Sequence, residues 1–107
     1  MTELALHVLL ALAGGPAHGY AIGKDIEARS GGRLDPTTGA LYQALKRLAD
    51  AKLIEAADPP ADEAGDARRK YFAITRAGRT AAAEELERLD RIVKTGRHRR
   101  LHRAGTR

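Results

Sequence analysis

This sequence of 107 residues predicts a mainly α-helical fold with one small β-hairpin. Glycine and proline turn signals divide its first half into three helical segments. Two short apolar runs, residues 53–56 and 70–75, flank a polar loop and are typical of paired strands. An amphipathic segment after the second run predicts a last helix. At this length we expect a single core and no independent second domain.

The first two helices have clear boundaries in the sequence. The first is an apolar run over residues 4–13, and the turn at residues 14–16 ends it. The second covers residues 20–30 and stops at the glycine pair 31–32. His18 lies in the turn between them, where we expect it to form a hydrogen bond at the start of the second helix.

The third helix shows the clearest amphipathic pattern. Asp35 is a suitable N-cap, and Pro36 suits the first helical position, where its missing N–H costs nothing. Four apolar side chains recur at i, i+3, i+4 and i+7, which predicts one buried stripe: Leu41, Ala44, Leu45 and Leu48. The opposite face holds Gly39, Tyr42, Gln43, Lys46 and Asp50, with Arg47 on the flank.

The last helix is expected to begin after the N-cap Thr75 and to end near Thr95, where Gly96 stops it. Its apolar positions follow the spacing of a coiled-coil seam: Ala82, Leu86, Leu89 and Val93. Either the core of the same chain or a second subunit could cover this seam. Because the first helix is apolar on most sides, we favour a homodimer in which Leu6, Leu9 and Leu10 join the interface.

Composition excludes several classes of function. The chain has no cysteine, which excludes a disulfide scaffold, a thiolate metal site and a cysteine nucleophile, and fits a cytoplasmic protein. The apolar run near the start is too short to cross a membrane, and Glu3 precedes it where a secretory signal has cations. We therefore expect no membrane association.

The sequence also shows no residue pattern that predicts an enzyme. His98 and His102 are spaced like metal ligands, but arginines flank them and no carboxylate completes the set. Ser30 is the only serine and has no His–Asp pattern around it. No phosphate-binding loop is present. We expect no catalytic residue, no metal and no cofactor.

The net charge of +5 is unevenly distributed along the chain. Residues 94–107 hold six cations and no acid, so the remaining residues have a net charge of −1. The basic tail is either a solvated, disordered end or an arm that adds nonspecific affinity for DNA.

The order of helix, helix, helix, strand, loop, strand is that of a winged helix-turn-helix, in which the third helix lies in the major groove of DNA. We therefore divide the chain into a DNA-binding domain (1–75), a dimerisation helix (76–95) and the tail (96–107). Basic side chains lie on the third helix at Lys46 and Arg47, and at the base of the wing at residues 68–70.

Several strings in this order resemble the PadR-like family of bacterial transcriptional regulators, over about residues 4–94. They are GPAHGYAI at residues 15–22, SGGRL at 30–34, PTTGALYQALKRL at 36–48, LIE at 53–55 and RRKYFAITRAG at 68–78. The length resembles the short branch of the family, which has a single C-terminal dimerisation helix.

The resemblance implies a dimeric repressor that binds a pseudo-palindromic operator in double-stranded DNA and responds to a small-molecule effector. Carried over residue by residue, it assigns DNA contacts to Tyr20, Thr37, Thr38, Gly39, Tyr42, Gln43, Lys46, Arg47, Arg68, Arg69 and Lys70. Gln43 can form a bidentate contact with adenine, Gly39 permits close approach, and the cations neutralise phosphates.

A second reading remains open. The predicted wing holds four acids, Asp58, Asp62, Glu63 and Asp66, which phosphates repel, and the chain without its tail is almost neutral. The last helix has no Phe, Tyr or Trp that could stack on a flat aromatic ligand. The acidic wing and the near-neutral charge favour a winged-helix dimer that acts as a protein-interaction or ligand-binding module with little affinity for DNA.

Overall fold

The computed structural model describes residues 1–61 and 69–101. Within these ranges the chain forms a helical body with a small antiparallel sheet, which confirms the predicted fold class. In chain order the elements are α1 (Glu3–Ala13), β1 (Ala17–His18), α2 (Gly19–Arg29), α3 (Thr38–Asp50), β2 (Ile54–Ala57), β3 (Tyr71–Ile74) and α4 (Arg76–His98). The loop predicted between the two hairpin strands lies mostly outside the described residues.

The sheet has a third strand that the sequence did not predict. Its order is β1-β3-β2, and both neighbours run antiparallel to β3. In β1, His18 pairs with Tyr71, while Ile54 of β2 pairs with Ile74. β1 is two residues long, too short for any alternation of apolar and polar residues to show. Its pairing ties the start of α2 to the hairpin.

α1 is the central helix of the core, because α2, α3, α4 and β3 all pack against it. Leu9 is completely buried and Leu6 nearly so. This position explains why α1 is apolar on most sides. We therefore correct the assignment of Leu6 and Leu9 to a dimer interface, since they fill the core of their own protomer. Leu10 is partly exposed.

α3 begins later than predicted. Its N-cap is Thr37, whose hydroxyl oxygen accepts a hydrogen bond from the Ala40 backbone N–H at 3.1 Å. Asp35 and Pro36 lie before the helix, so the prediction that they open it is wrong. A Thr side chain directly before the first turn satisfies one of the free N–H groups there, and the helix starts at that point.

α4 continues past Gly96 to His98, so the prediction that Gly96 stops it is wrong. The helix ends in a Schellman motif, in which the Leu101 N–H donates to the Gly96 carbonyl at 2.8 Å and Arg100 takes a positive φ of 62°. A helix of 23 residues is about 34 Å long. It gives the molecule an extent of 53 Å in one direction, against 27 and 25 Å in the others.

Polar contacts join α1 to α2 at the surface. The Arg29 guanidinium donates to the His7 carbonyl at 2.9 Å and pairs with Asp25 at 2.7 Å. Burial lowers the pKa of His7 below its usual value of 6.5; the Arg29 charge adds to this effect and Asp25 opposes it. In the described parts of the chain, no helix is long and apolar enough to cross a membrane.

Candidate nucleic-acid interface

The outer face of α3 is open to solvent. The stripe Leu41, Ala44, Leu45 and Leu48 is buried, as the sequence predicts. A Cβ added at Gly39 would meet no atom of residues 1–61 and 69–101 within 4 Å. The other exposed side chains of this face are Tyr42, Gln43, Lys46, Arg47 and Asp50. The face can therefore approach another surface closely.

Lys46 has a carboxylate beside it. Its Nζ lies 3.3 Å from Asp50 Oδ2, one helical turn away, and both side chains are largely exposed. Asp50 lies on the predicted polar face, but it was not among the predicted site residues. An exposed pair of this kind contributes less than about 1 kcal/mol to stability. Its main effect is to offset the positive charge that Lys46 brings to the face.

The two edges of the α3 face meet different parts of the molecule. On one side, Tyr42, Lys46 and Asp50 share a groove of about 330 Å³ with Lys70 and Phe72 at the base of the wing. On the other side, a groove between α3 and the start of α1 is lined in part by Gln43 and Arg47. The fold therefore places Lys70 and Lys46 at the same groove.

His18 links the wing base to α2. Its Nδ1 accepts a hydrogen bond from the Ala21 N–H at 3.2 Å, which confirms the predicted bond at the start of this helix. Its Nε2 lies 2.7 Å from Nη1 of Arg69. The ring is 7% exposed and packs edge-on against Tyr71. A neutral imidazole accepts at only one nitrogen at a time, so the helix cap and Arg69 compete for the ring.

His18→Asn and His18→Ala separate the capping role from the packing of the ring. Both remove the ring, but asparagine remains a good N-cap and alanine is a poor one. We expect His18→Ala to be less stable than His18→Asn by about 1 kcal/mol. Urea unfolding followed by circular dichroism measures the difference. Equal stability of the two variants would show that the bond to Ala21 contributes little.

Tyr20 is the most exposed aromatic side chain in the described parts of the chain, at 67%. The Lys24 ammonium lies 5.6 Å from the centre of its ring, within the range of a cation–π contact. Tyr20 and Tyr42 line the same cleft between α2 and α3. The start of α2 therefore adjoins the α3 face and, through His18, the wing base.

The structure brings most of the predicted site residues onto or next to one surface. Thr37 has a local role as the N-cap of α3, and Thr38 lines the cleft beside Tyr42. Arg68 lies outside the described residues. Residues 1–61 and 69–101 contain no group of three His, Asp or Glu side chains that could hold a metal ion. Sequence reasoning did not find the contact of His18 with Arg69, because 51 positions separate the two residues.

Comparison with known proteins agrees with this architecture. Residues 8–84 match the model of the transcriptional regulator PadR-like family. An uncharacterised 37.1 kDa protein in transposon TN4556 of Streptomyces fradiae is 45% identical over 85 residues. The match covers 79% of this chain and 22% of the relative, so the chain spans about a fifth of that protein's length.

Solved structures of transcriptional regulators share the fold, including two from Bacillus species. A PadR-like transcriptional regulator from Bacillus cereus superimposes with a TM-score of 0.77 at 21% identity, covering 94% of this chain and 93% of that one. Bacillus subtilis PadR in complex with operator DNA superimposes with a TM-score of 0.67 at 21% identity, covering 79% of this chain and 47% of that one. With a family match that extends over most of its length, the chain belongs to the PadR-like family of transcriptional regulators.

Proposed function

We propose that this protein binds double-stranded DNA sequence-specifically, with α3 in the major groove. The observation that carries the proposal is the open face of α3, which has Lys70 of the wing base at one edge. The major groove admits an α-helix and presents a different donor and acceptor pattern for each base pair. The structural likeness to Bacillus subtilis PadR, solved with operator DNA, supports the same use of the fold.

The predicted site residues divide into two roles. Gln43 has the amide needed for a bidentate contact with adenine, and Gly39 lets the start of α3 approach the base edges. Cations and hydroxyl groups at the edges contact phosphates and set the register. Backbone contacts are assigned to Tyr20, Arg68, Arg69 and Lys70, and the charges of Lys46 and Arg47 neutralise phosphates. Thr37, Thr38 and Tyr42 are assigned to the part of the chain that reads the bases.

The proposal includes a homodimer joined through α4. The second half of this helix carries an apolar strip, in which Leu86 is 42% and Val93 is 47% exposed, while Leu89 packs partly against the core. Beside the strip, Arg88 donates to both carboxylate oxygens of Glu85 at 2.8 and 2.9 Å, and this lowers the pKa of the Glu85 carboxyl. Exposed apolar strips with polar flanks are typical of interfaces.

Not every predicted interface residue supports this part of the proposal. Ala82 is buried in the protomer, as are Leu6 and Leu9, so these three have little surface to offer a partner. The proposed contacts are therefore Leu10, Leu86, Leu89 and Val93. A two-fold axis through paired α4 helices would present two α3 faces to a pseudo-palindromic operator.

Repression and release by a small-molecule effector complete the proposal and rest on membership of the family. Binding of a dimer to a promoter blocks transcription when it covers the polymerase site. An effector can release the operator only if it binds the free conformation more tightly than the DNA-bound one.

Selection of DNA fragments from the protein's own genome tests the function. The purified protein should enrich a short inverted repeat and bind it far more tightly than random DNA of the same length, in a fluorescence anisotropy titration at several salt concentrations. Weak binding without sequence preference would instead favour the protein-interaction or ligand-binding module. The acidic residues of the wing and the near-neutral charge of residues 1–93 are the features that support this second function.

Gln43→Ala and Lys46→Ala should affect DNA binding in different ways. Loss of the Gln43 amide should cost roughly 1–3 kcal/mol of discrimination at one base position. Loss of the Lys46 charge should weaken binding to every sequence and lower the slope of log affinity against log salt by about 0.9. Titrations with operator and with random DNA measure both effects. If both variants lose the same affinity for both DNAs, the two roles are wrongly assigned.

Asp50→Asn provides the matched control on the same helix face. It removes the carboxylate that pairs with Lys46 and leaves the shape of the side chain almost unchanged. We expect stronger binding to operator and random DNA alike, with a steeper salt dependence, because Lys46 then faces the phosphates unopposed. The effect is opposite in sign to that of Lys46→Ala.

A further inference from the structure

The Tyr42 ring lies against the first turn of α2 at a point where the chain has no side chain. Gly19 is the first residue of α2 and is buried. A Cβ built at Gly19 would lie 2.5 Å from Oη and 2.9 Å from Cζ of Tyr42. Both distances are shorter than any normal contact, so the ring occupies the space that a side chain at Gly19 would need.

Only part of the Tyr42 ring is covered in this way. The side chain is 46% exposed and lines the cleft between α2 and α3, with the exposed Tyr20 beside it. The first turn of α2 supports one side of the ring, and the rest is open on the surface that carries the α3 face. A ring held against backbone has fewer orientations than one that projects freely into solvent.

We propose that Gly19 is a positioning residue for DNA recognition, because its missing side chain lets the Tyr42 ring rest on α2 in the orientation that meets DNA. This inference rests on the proposed function and assigns a role to a buried residue to which the proposed function gives no DNA contact. A ring that is already ordered loses little conformational freedom on binding. Gly19 thereby improves affinity through Tyr42 alone.

The backbone of Gly19 does not require glycine. Its φ is not in the left-handed region, in contrast to that of Gly31. The atoms that an alanine side chain would meet are the far end of the Tyr42 side chain, not backbone. Gly19→Ala should therefore displace the ring and leave the helices in place. Alanine also favours helix more than glycine does, so the fold should not be weakened.

Gly23→Ala is the matched control. Gly23 lies one turn further along α2, and a Cβ there would meet Leu41 Cδ2 at 3.4 Å, an ordinary contact. We expect both variants to melt at or above the wild-type temperature. Operator affinity should fall about fivefold in Gly19→Ala, the cost of ordering one free side chain, and stay within about twofold in Gly23→Ala.

A double-mutant cycle decides whether the effect passes through Tyr42. In a Tyr42→Ala background, Gly19→Ala should cause no further loss of operator affinity, because no ring remains to be displaced. Additive losses would overturn the inference. So would equal operator affinity of Gly19→Ala and the wild type.

The contact itself can be tested without DNA. In the NMR spectrum of the free wild-type protein, the Tyr42 ring protons should show a nuclear Overhauser effect to the Gly19 α-protons. This signal should disappear in Gly19→Ala and persist in Gly23→Ala. Absence of the signal in the wild type overturns the inference alone. Absence of any sequence preference in wild-type DNA binding overturns the proposed function and, with it, the role assigned to Gly19.

Discussion

Replacing Leu86 and Val93 together with Asp is expected to convert the proposed α4-joined homodimer into a monomer that is still folded. Both side chains are more than two-fifths exposed in the protomer, so the change removes little of its own core. In a dimer joined through α4, the same two positions would bury unpaired carboxylates on each subunit. One such charge costs about 3–5 kcal/mol, which weakens association by more than about 100-fold.

The matched control adds the same number of negative charges to the opposite side of α4. Thr80→Asp with Thr95→Asp also adds two carboxylates to α4, at exposed positions that lie opposite the apolar strip. Sedimentation velocity should show monomers for the first variant and dimers for the control, at one protein concentration. Operator binding should weaken in step with loss of the dimer, since each half-site then binds alone. A dimer that survives the Leu86 and Val93 changes would place the interface elsewhere.

Leu89 is left out of this variant for a structural reason. It belongs to the predicted seam, but it also packs against the core of its own protomer. An Asp at this position would destabilise the monomer and the dimer together. The spacing of apolar residues predicted the strip correctly as a helix face. The spacing could not separate the apolar positions of α4 that the protomer buries from those that stay exposed, since both follow the same period.

The elements that the sequence predicted well are those with a local cause. The buried stripe of α3 follows from the spacing of Leu41 and its partners, and α2 ends where two glycines follow. The predicted helix ends were wrong where two neighbouring residues could each begin or end the helix. Thr37, not Asp35, caps α3, and α4 continues through Gly96 because its end is set by the bonds of Arg100 and Leu101.

Contacts between distant residues were beyond the reach of sequence reasoning. The pairing of His18 with Tyr71 forms β1, and the same ring meets Arg69, but no periodicity connects these positions. The close fit of Gly19 and Tyr42 is of the same kind. Resemblance to a family could propose residues for the site. Only the three-dimensional arrangement shows which of them support one another.

Gly78→Ala is expected to destabilise the protein strongly. Gly78 is buried in the first turn of α4, and a Cβ there would overlap the Leu53 carbonyl oxygen and lie 2.8 Å from Ile74 Cγ1. The carbonyl cannot simply move away, because it accepts a hydrogen bond from the Thr75 N–H at 3.1 Å. The Thr75 hydroxyl donates to the neighbouring Lys52 carbonyl at 2.7 Å, so the whole turn is held in place.

Two effects of opposite sign compete in this variant, and their magnitudes decide the outcome. Alanine in place of glycine favours a helix by up to about 1 kcal/mol. Overpacking against fixed backbone typically costs about 1–3 kcal/mol and more where nothing can yield. We therefore expect the free energy of unfolding to fall, with a melting temperature lower by about 4–8 °C for each kcal/mol.

Gly39→Ala isolates the favourable effect. Gly39 also lies in the first turn of a helix, but a Cβ there meets no atom of the described residues within 4 Å, so helix propensity is the effect that remains. Thermal melts of both variants at one protein concentration should shift in opposite directions, upward for Gly39→Ala and downward for Gly78→Ala. Upward shifts in both would mean that α4 can move away from the α3–β2 connection at little cost. The close packing of α4 at this turn would then not be what holds the helix against the winged-helix body.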